Sequence, residues 1–536
     1  MGLSERPEQA SLGRRRGVRR ATLMVVCVSA LVVNVDNTIL NVALPTLVRQ
    51  LHATSSDLQW IVDAYAMVFA GLLLVGGSLA DRFGRKRLFL IGLTVFAGAS
   101  IGAGLSSSVN MLIAWRAAMG AGSALTIPSS LSIINDVFRD PAERARAIGA
   151  WGGTIGLGIA VGPIAGGLLL ARFWWGSVFL VNVPIVVLGF IAAVALVPGS
   201  KSMAAEKPDP PGSLLSIGGL GLLLWAIIEA PSKGWTSGAV TGVGAAAIVV
   251  LGSFVAWEAY SPHPMLKLAL FSDRSFSIAA AGESLGTFGL LGALFVQTQF
   301  LQFDLGYSPL QAGLRILPVA AVLVVSAPVS PVAARFVGVK ATAAAGLAAI
   351  AGGLWQVSAV SNASTTYGAV VPGMLLIGLG AGLLLPTATN SVVGSVSQGD
   401  AGVGSAFNAV ALQVGGALGV AVFGSVLSTR YQDRMTVALV GRHVPSAALQ
   451  AILGSLGGAL VVAKRAGGET GALLASAARV AFMSGSKISL AAGGIVAFAG
   501  ALLVLAGLPS RIQRSSHDTN SVTGRSLEQE RDRNRD

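Results

Sequence analysis

The chain has 536 residues, of which 53% are hydrophobic and 11% charged, with a mean hydropathy of +0.72. Soluble domains carry about 25% charged residues, so a soluble globular protein is excluded and a polytopic membrane protein is expected. The formal net charge of +13 is assigned to arginine-rich loops and tails under the positive-inside rule rather than to nucleic acid, which is not expected as a partner. A single cysteine, Cys27, excludes an intramolecular disulfide. Sixty-nine glycines suit closely packed membrane helices.

Arginines 14, 15, 16, 19 and 20 precede an apolar run from Leu23. No small-residue cleavage site follows, so an uncleaved first span is expected rather than a signal peptide. A spanning helix needs about 20 apolar residues. Fourteen stretches qualify: 23–47, 58–79, 88–106, 110–135, 145–170, 176–197, 213–231, 237–258, 275–301, 310–333, 341–361, 367–396, 402–428 and 485–508. Residues 446–463 are nearly long enough for a fifteenth, but Gln450, two serines, three glycines and the closing Lys464 and Arg465 favour a surface helix. That helix would lie in a long external loop, 429–484.

Basic residues fall on one side throughout: the N-terminal tail, GRKR at 84–87, RDPAERAR at 139–146, Lys201 with Lys207, Lys267 with Arg274, and Arg335 with Lys340. Both termini are therefore expected in the cytoplasm of a cell whose plasma membrane the chain crosses many times. SLADRFGRKRLFLIGL (78–93) resembles SPVAARFVGVKATAAAGL (330–347), which suggests two related six-helix bundles. The expected organisation is a cytoplasmic basic tail (1–22), a first bundle (23–197), a cytoplasmic linker (198–212), two inserted helices (213–258), a cytoplasmic loop (259–274), a second bundle (275–508) and a disordered cytoplasmic tail (509–536).

The chemistry sits where the apolar pattern is interrupted. In the first span Asn34, Asn37, Thr38 and Asn41 form one stripe, while Asp36 points about 100° away from Asn37. The span is thus polar in two directions and belongs deep in the bundle, with Asp36 near the midplane, where it can take up and release a proton. An aspartate at a helix centre costs about 2.5–3.5 kcal/mol to insert, and such residues mark ion or substrate pathways. A static hydrogen-bonded aspartate is the alternative.

In the second span Asp63 and Asp81 are eighteen residues apart, five helical turns or about 27 Å, on one face with Ala66, Ala70 and Gly77. Asp63 and Arg116 of the fourth span lie at equal depth, so an ion pair between them is expected, since a lone buried charge would cost far more. The fifth span carries Gly158, Gly162 and Gly166 as a ridge at spacings of four, with Pro163 and Gly167 beside it. In the ninth span Glu283 shares a face with Thr287 and Gln297, and Asn390, Asn408 and Gln413 add polar points later.

GSLADRFGRKR (77–87) closely resembles the cytoplasmic loop signature of the major facilitator superfamily. DNTILNVALP (36–45) looks like the first-span signature of its fourteen-span drug:proton antiporter branch, WRAAMGAGSAL (115–125) like its fourth-span motif, and GIAVGPIAGG (158–167) like its antiporter motif. FLVNVP (179–184) and YSPLQAGLRILP (307–318) sit where that branch has them, whereas WWGS (174–177) departs from an expected aromatic-Arg-Trp run. The resemblance covers about residues 20–510.

The resemblance implies an all-α fold of two six-helix bundles with two inserted helices, fourteen spans in all. It implies a gating loop of Gly77, Asp81, Arg82, Gly84, Arg85 and Lys86 that latches the bundles together with Asp136. Proton coupling is expected at Asp36, Asp63 and Arg116, and the antiporter motif at Gly158, Gly162, Pro163, Gly166 and Gly167. Asn34, Asn41, Glu283 and Asn390 are the substrate-binding candidates. The implied activity is proton-coupled efflux of a small lipophilic, cationic drug or antibiotic by alternating access. An exporter of an endogenous metabolite and an importer of the same fold are the alternatives. No Walker loop is present, and four histidines at 52, 263, 443 and 517 lie outside the spans. No enzyme chemistry, cofactor or metal is therefore expected; the partners are protons, the substrate and the bilayer, around a monomer.

Overall fold

The computed structural model describes residues 6–199, 209–362, 364–396 and 401–508. The expectations for 1–5, 200–208 and 509–536 lie outside the described residues, as does the side chain of Asp81. The first half comprises α1 (Arg6–Leu51), α2 (Ser55–Phe83), α3 (Arg85–Gly104), α4 (Val109–Val137), α5 (Pro141–Arg172), α6 (Ser177–Leu180) and α7 (Asn182–Leu196). An inserted hairpin follows, α8 (Pro210–Lys233) and α9 (Gly238–Tyr260). The second half comprises α10 (Arg274–Gln299), α11 (Pro309–Ser326), α12 (Val329–Val337), α13 (Val339–Val360), α14 (Tyr367–Gly394), α15 (Ala401–Ala438), α16 (Ser446–Gly454), α17 (Leu456–Ala466) and α18 (Gly468–Gly507). Fourteen helical stretches are long and apolar enough to cross a membrane; α6 and α7 together make the sixth.

The repeat is built from the same local chemistry twice. Thr54 opens α2 with a capping box: its hydroxyl accepts from the Asp57 amide at 3.2 Å, and Asp57 Oδ2 accepts from the Thr54 amide at 2.8 Å. Ser308 and Gln311 open α11 in the same way. The turn that closes the following pair of helices needs a positive φ, supplied by Gly84 (φ 103°) between α2 and α3 and by Gly338 (φ 91°) between α12 and α13.

Helix bounds are longer than hydropathy alone indicated in one region. The expected external loop 429–484 is mostly helical, because α15 runs on to Ala438 and α18 starts at Gly468. Residues 446–463 break at Ser455, whose hydroxyl accepts from the Gly458 amide and caps α17. Leu456 and Ala459 are buried there, and a Cβ at Gly457 would stand 2.6 Å from Phe303 and Val48 side-chain atoms, so α17 closes over α1 and the end of the α10 span.

Two seams join the halves, α2 against α15 and α5 against α11. Helix α8 packs along α2 and α15, while α9 packs on α8 and exposes most of its apolar surface. The basic turns gather at one end, here called the basic end: Arg19 bonds Glu143 at 3.4 Å, linking the starts of α1 and α5. The opposite end carries direct bridges between halves, such as Gln302 Nε2 donating to Val42 O at 2.9 Å.

The antiporter-motif ridge packs within its own half. A Cβ at Gly158 would lie 2.6 Å from Asn34 Cβ, Gly162 covers Thr38 and Ile39, and Gly166 covers Ile39. Thr38 Oγ1 donates to the Gly158 carbonyl at 2.7 Å across this contact. Gly158→Val should therefore force α1 and α5 apart and cost about 1–3 kcal/mol, read as a lowered unfolding temperature in detergent. Gly149, where nothing stands within 4 Å, is the control and should tolerate alanine. Gly167, by contrast, faces Leu310 of α11, and Gly313 of α11 faces the Pro163 carbonyl, so these residues form the second seam.

Candidate functional site

A fully buried polar cluster occupies the first half. Asp36 of α1 is 0% exposed and Arg116 of α4 is 1% exposed. Arg116 Nη1 donates to Asp36 Oδ2 at 2.5 Å, and Asn182 Nδ2 donates to Asp36 Oδ1 at 2.8 Å. Arg116 Nε donates to the Ile61 carbonyl of α2 at 3.0 Å. The Tyr65 ring sits beneath the guanidinium, 4.5 Å from centroid to Cζ, and its hydroxyl donates to Ser123 Oγ at 2.7 Å. One carboxylate thus ties together α1, α4 and the start of α7, and one arginine ties in α2.

This arrangement corrects the expected partner of Arg116. Its carboxylate is Asp36, not Asp63; equal depth in the membrane sets height along the helix but not which neighbour a side chain faces. Asp63 is 0% exposed, and among the described residues neither of its oxygens has a hydrogen-bond partner. It stands between Ile61, whose carbonyl holds Arg116, and Tyr65, whose ring supports it. A buried carboxyl group without partners is an expensive arrangement.

The other polar stripe of α1 faces a different space. Thr38 and Asn41 line a small cavity with Ile159 and Pro163 of α5, Leu294 and Thr298 of α10, and Ile316 and Val319 of α11. The cavity lies between the two halves and its lining is mostly apolar. Pro163 has no amide hydrogen to give to the carbonyl of Ile159, one turn back, so the helix is free to bend beside the cavity. Asn34 donates to Ala30 O at 2.8 Å and packs on Gly158.

In the second half Glu283 of α10 is also 0% exposed. Thr389 Oγ1 of α14 donates to Glu283 Oε1 at 2.7 Å, and the Asn408 amide of α15, oriented to donate, reaches Oε2 at 2.5 Å. Asn390 is exposed, so its neighbour Thr389, rather than Asn390 itself, meets the acid. Thr287 bonds the Glu283 carbonyl at 3.0 Å and leaves the carboxylate alone.

The turn at the basic end holds to its own half through several contacts. Arg85 pairs with Asp136 of α4, and Lys86 Nζ donates to Val194 O of α7 at 2.8 Å. Arg82 is exposed beside Phe83. A Cβ on Gly77 would meet Pro128 Cβ at an ordinary 3.8 Å; the tight approach of α2 to α4 is made one residue earlier, where a Cβ on Gly76 would collide with the Ala124 carbonyl.

Asn182, Tyr65 and Ser123 were not singled out as site residues from sequence. Seven residues separate Arg116 from Ser123, two helical turns that place both on one face of α4. Asn182 sits at the break between α6 and α7, inside the FLVNVP stretch.

Residues 26–420 match the sequence profile of the Major Facilitator Superfamily. The chain is 32% identical over 495 residues to the tetracenomycin C resistance and export protein of Streptomyces glaucescens, covering 91% of this chain and 92% of that one. It is 33% identical to the multidrug efflux pump LfrA of Mycolicibacterium smegmatis, covering 90% and 95%. With the methyl viologen resistance protein SmvA of Salmonella typhimurium it shares 31% identity, covering 88% and 95%. Among solved structures, an inward-facing, unoccupied bacterial homolog of the human lysosomal transporter Spinster aligns over 93% of this chain and 99% of that one, with a TM-score of 0.63 at 17% identity. Profile, relatives and fourteen spans agree, and the chain belongs to the Major Facilitator Superfamily as a multi-pass membrane transporter of the fourteen-span branch.

Proposed function

We propose that this transporter is an antiporter that exports lipophilic, cationic compounds in exchange for inward-moving protons. The supporting observation is the buried cluster of Asp36, Arg116 and Asn182 at the contact of α1, α4 and α7, with a second buried carboxyl group, Asp63, on the neighbouring helix α2. A carboxyl group in such a place exchanges a proton as its only chemistry, and any change in its charge alters what Arg116 must pair with. Thr38 and Asn41 lie on the same helix as Asp36 and face the cavity between the halves, so a rotation of α1 reaches both sites. The export direction follows from the relatives, which are named for resistance and export. Glu283 supplies a negative charge in the second half for a cationic substrate, and Asn34 and Asn41 supply amides in the first.

The energy balance makes the substrate's charge testable. One elementary charge crossing 100 mV yields about 2.3 kcal/mol, which at about 1.4 kcal/mol per decade sustains roughly a fiftyfold gradient of a neutral substrate for one proton. A monovalent cation exchanged for one proton moves no net charge, so the membrane potential drops out and only the pH gradient drives it. Inside-out vesicles should therefore accumulate ethidium under an imposed pH gradient, acid inside, and lose it on addition of a protonophore. Accumulation that survives the protonophore contradicts proton coupling; accumulation of neutral compounds alone contradicts the cationic substrate.

A further inference from the structure

The inserted helix α8 lies over one seam and bonds to both halves of the molecule. At its far end Pro231 stands inside the helix. Proline lacks the amide hydrogen that would bond the carbonyl four residues back, and that carbonyl belongs to Ile227. The freed oxygen accepts from Ser425 Oγ of α15 at 2.7 Å. The same hydroxyl lies 3.3 Å from Gln59 Oε1 of α2, so three helices from three parts of the chain meet at one oxygen. One residue on, the Ile228 carbonyl accepts from Ser56 Oγ of α2 at 3.2 Å. Trp235 Nε1 donates to Thr429 Oγ1 of α15 at 3.0 Å.

The packing beneath these bonds is equally shared. Leu224 and Ile228 of α8 form a buried cluster with Ala66 of α2 and with Ala417 and Ala421 of α15. A Cβ on Gly424 would stand 2.6 Å from Gln59 Cδ, so the Gln59 side chain of α2 lies directly against the α15 backbone. These contacts sit at the end opposite the basic turns. In any rocking motion that parts α2 from α15 at that end, α8 cannot keep both sets of bonds.

We infer that α8 is a latch on the α2–α15 seam, with the Ile227 carbonyl released by Pro231 as its catch and Ser425 as its keeper. The latch favours the state in which the end opposite the basic turns is closed, and it must open once per cycle. Ser425 and Pro231 are positioning residues: they touch no substrate and act by setting the balance between two states. The inference rests on the transporter reading of the fold and is independent of whether protons or another gradient drive export.

The test reads accessibility rather than transport. A cysteine is placed in the cavity wall as Ile316→Cys in a Cys27→Ser background, and the protein is labelled in liposomes by a membrane-impermeant maleimide from the face opposite the basic turns. Ser425→Ala removes the donor, and Pro231→Ala restores an amide that recaptures the Ile227 carbonyl within α8. Each should raise the labelling rate about three- to tenfold, the range expected for one hydrogen bond. Because both remove the same bond, the double variant should label no faster than either single variant. Ser425→Thr, which keeps the hydroxyl, should label at the parental rate. Neither alanine variant opens a large cavity or adds a charge, so folding is retained. Unchanged labelling in the single variants, or multiplied effects in the double, overturns the latch. Because labelling needs no proton gradient, that outcome leaves the antiport reading standing on its own test.

Discussion

Asp36→Leu is expected to lower stability by about 3–5 kcal/mol and to abolish transport. The loss arises because Arg116 is 1% exposed and keeps its charge when its carboxylate is removed; breaking a buried pair strands an uncompensated ion. Arg116→Leu should behave alike, since Asp36 would retain only the Asn182 bond at 2.8 Å. The double variant Asp36→Leu/Arg116→Leu separates structure from function. With both charges gone and two apolar side chains in their place, stability should return to within about 2 kcal/mol of the parent. Transport should remain abolished. Thermal unfolding in detergent and uptake into vesicles, measured on the same four proteins, check this set. A double variant as unstable as the singles would mean that the bonds to Ile61, Asn182 and the Tyr65 ring dominate the cluster.

Asp63→Leu should show the opposite pairing of effects: a gain of about 1–3 kcal/mol in stability with loss of coupled transport. Both Asp63 oxygens are buried without a partner among the described residues, so the native chain carries the desolvation cost of a polar group that stabilises nothing in this state. Removing the group should relieve that cost. A carboxyl group retained at the expense of stability is the signature of a functional residue. If Asp63→Leu is destabilised and still couples transport, Asp63 is structural and its partner lies in another conformation of the protein.

Much of the fold was legible because the bilayer leaves few choices. Runs of about 20 apolar residues must be helices, and a basic turn closed by Gly84 recurs at Gly338. The structure starts α2, α11 and α5 a few residues before the spans expected at 58, 310 and 145, at the caps Thr54 and Ser308 and at Pro141. What could not be read was azimuth. Counting residues gave Asp63 and Arg116 the same height, yet the side chain of Arg116 is long enough to reach α1, and Asn182 fixes Asp36 from the third side. A helical wheel separated Asp36 from the Asn34–Asn41 stripe but could not say that one face meets α4 and α7 while the other meets α5, α10 and α11. In 429–484 hydropathy gave no helix bounds, because it measures transfer to lipid and the start of α18 carries serine, glycine and arginine among its apolar residues. The carbonyl freed by Pro231 was not read from sequence, where 231 only closed the seventh span; the fold shows that Ser425, 198 residues away in the chain, meets it.

The central claim is that export is exchanged for protons through the Asp36–Arg116 cluster and Asp63. It is tested most directly by following substrate-induced proton movement in proteoliposomes loaded with a pH indicator. The parent protein is compared with Asp63→Asn and Asp36→Asn under the same pH gradient. The account predicts that a lipophilic cation collapses the gradient with the parent and that neither variant responds, although both still reconstitute as folded protein. A cation that crosses on the parent without moving protons, or a gradient collapsed equally by all three proteins, would contradict it.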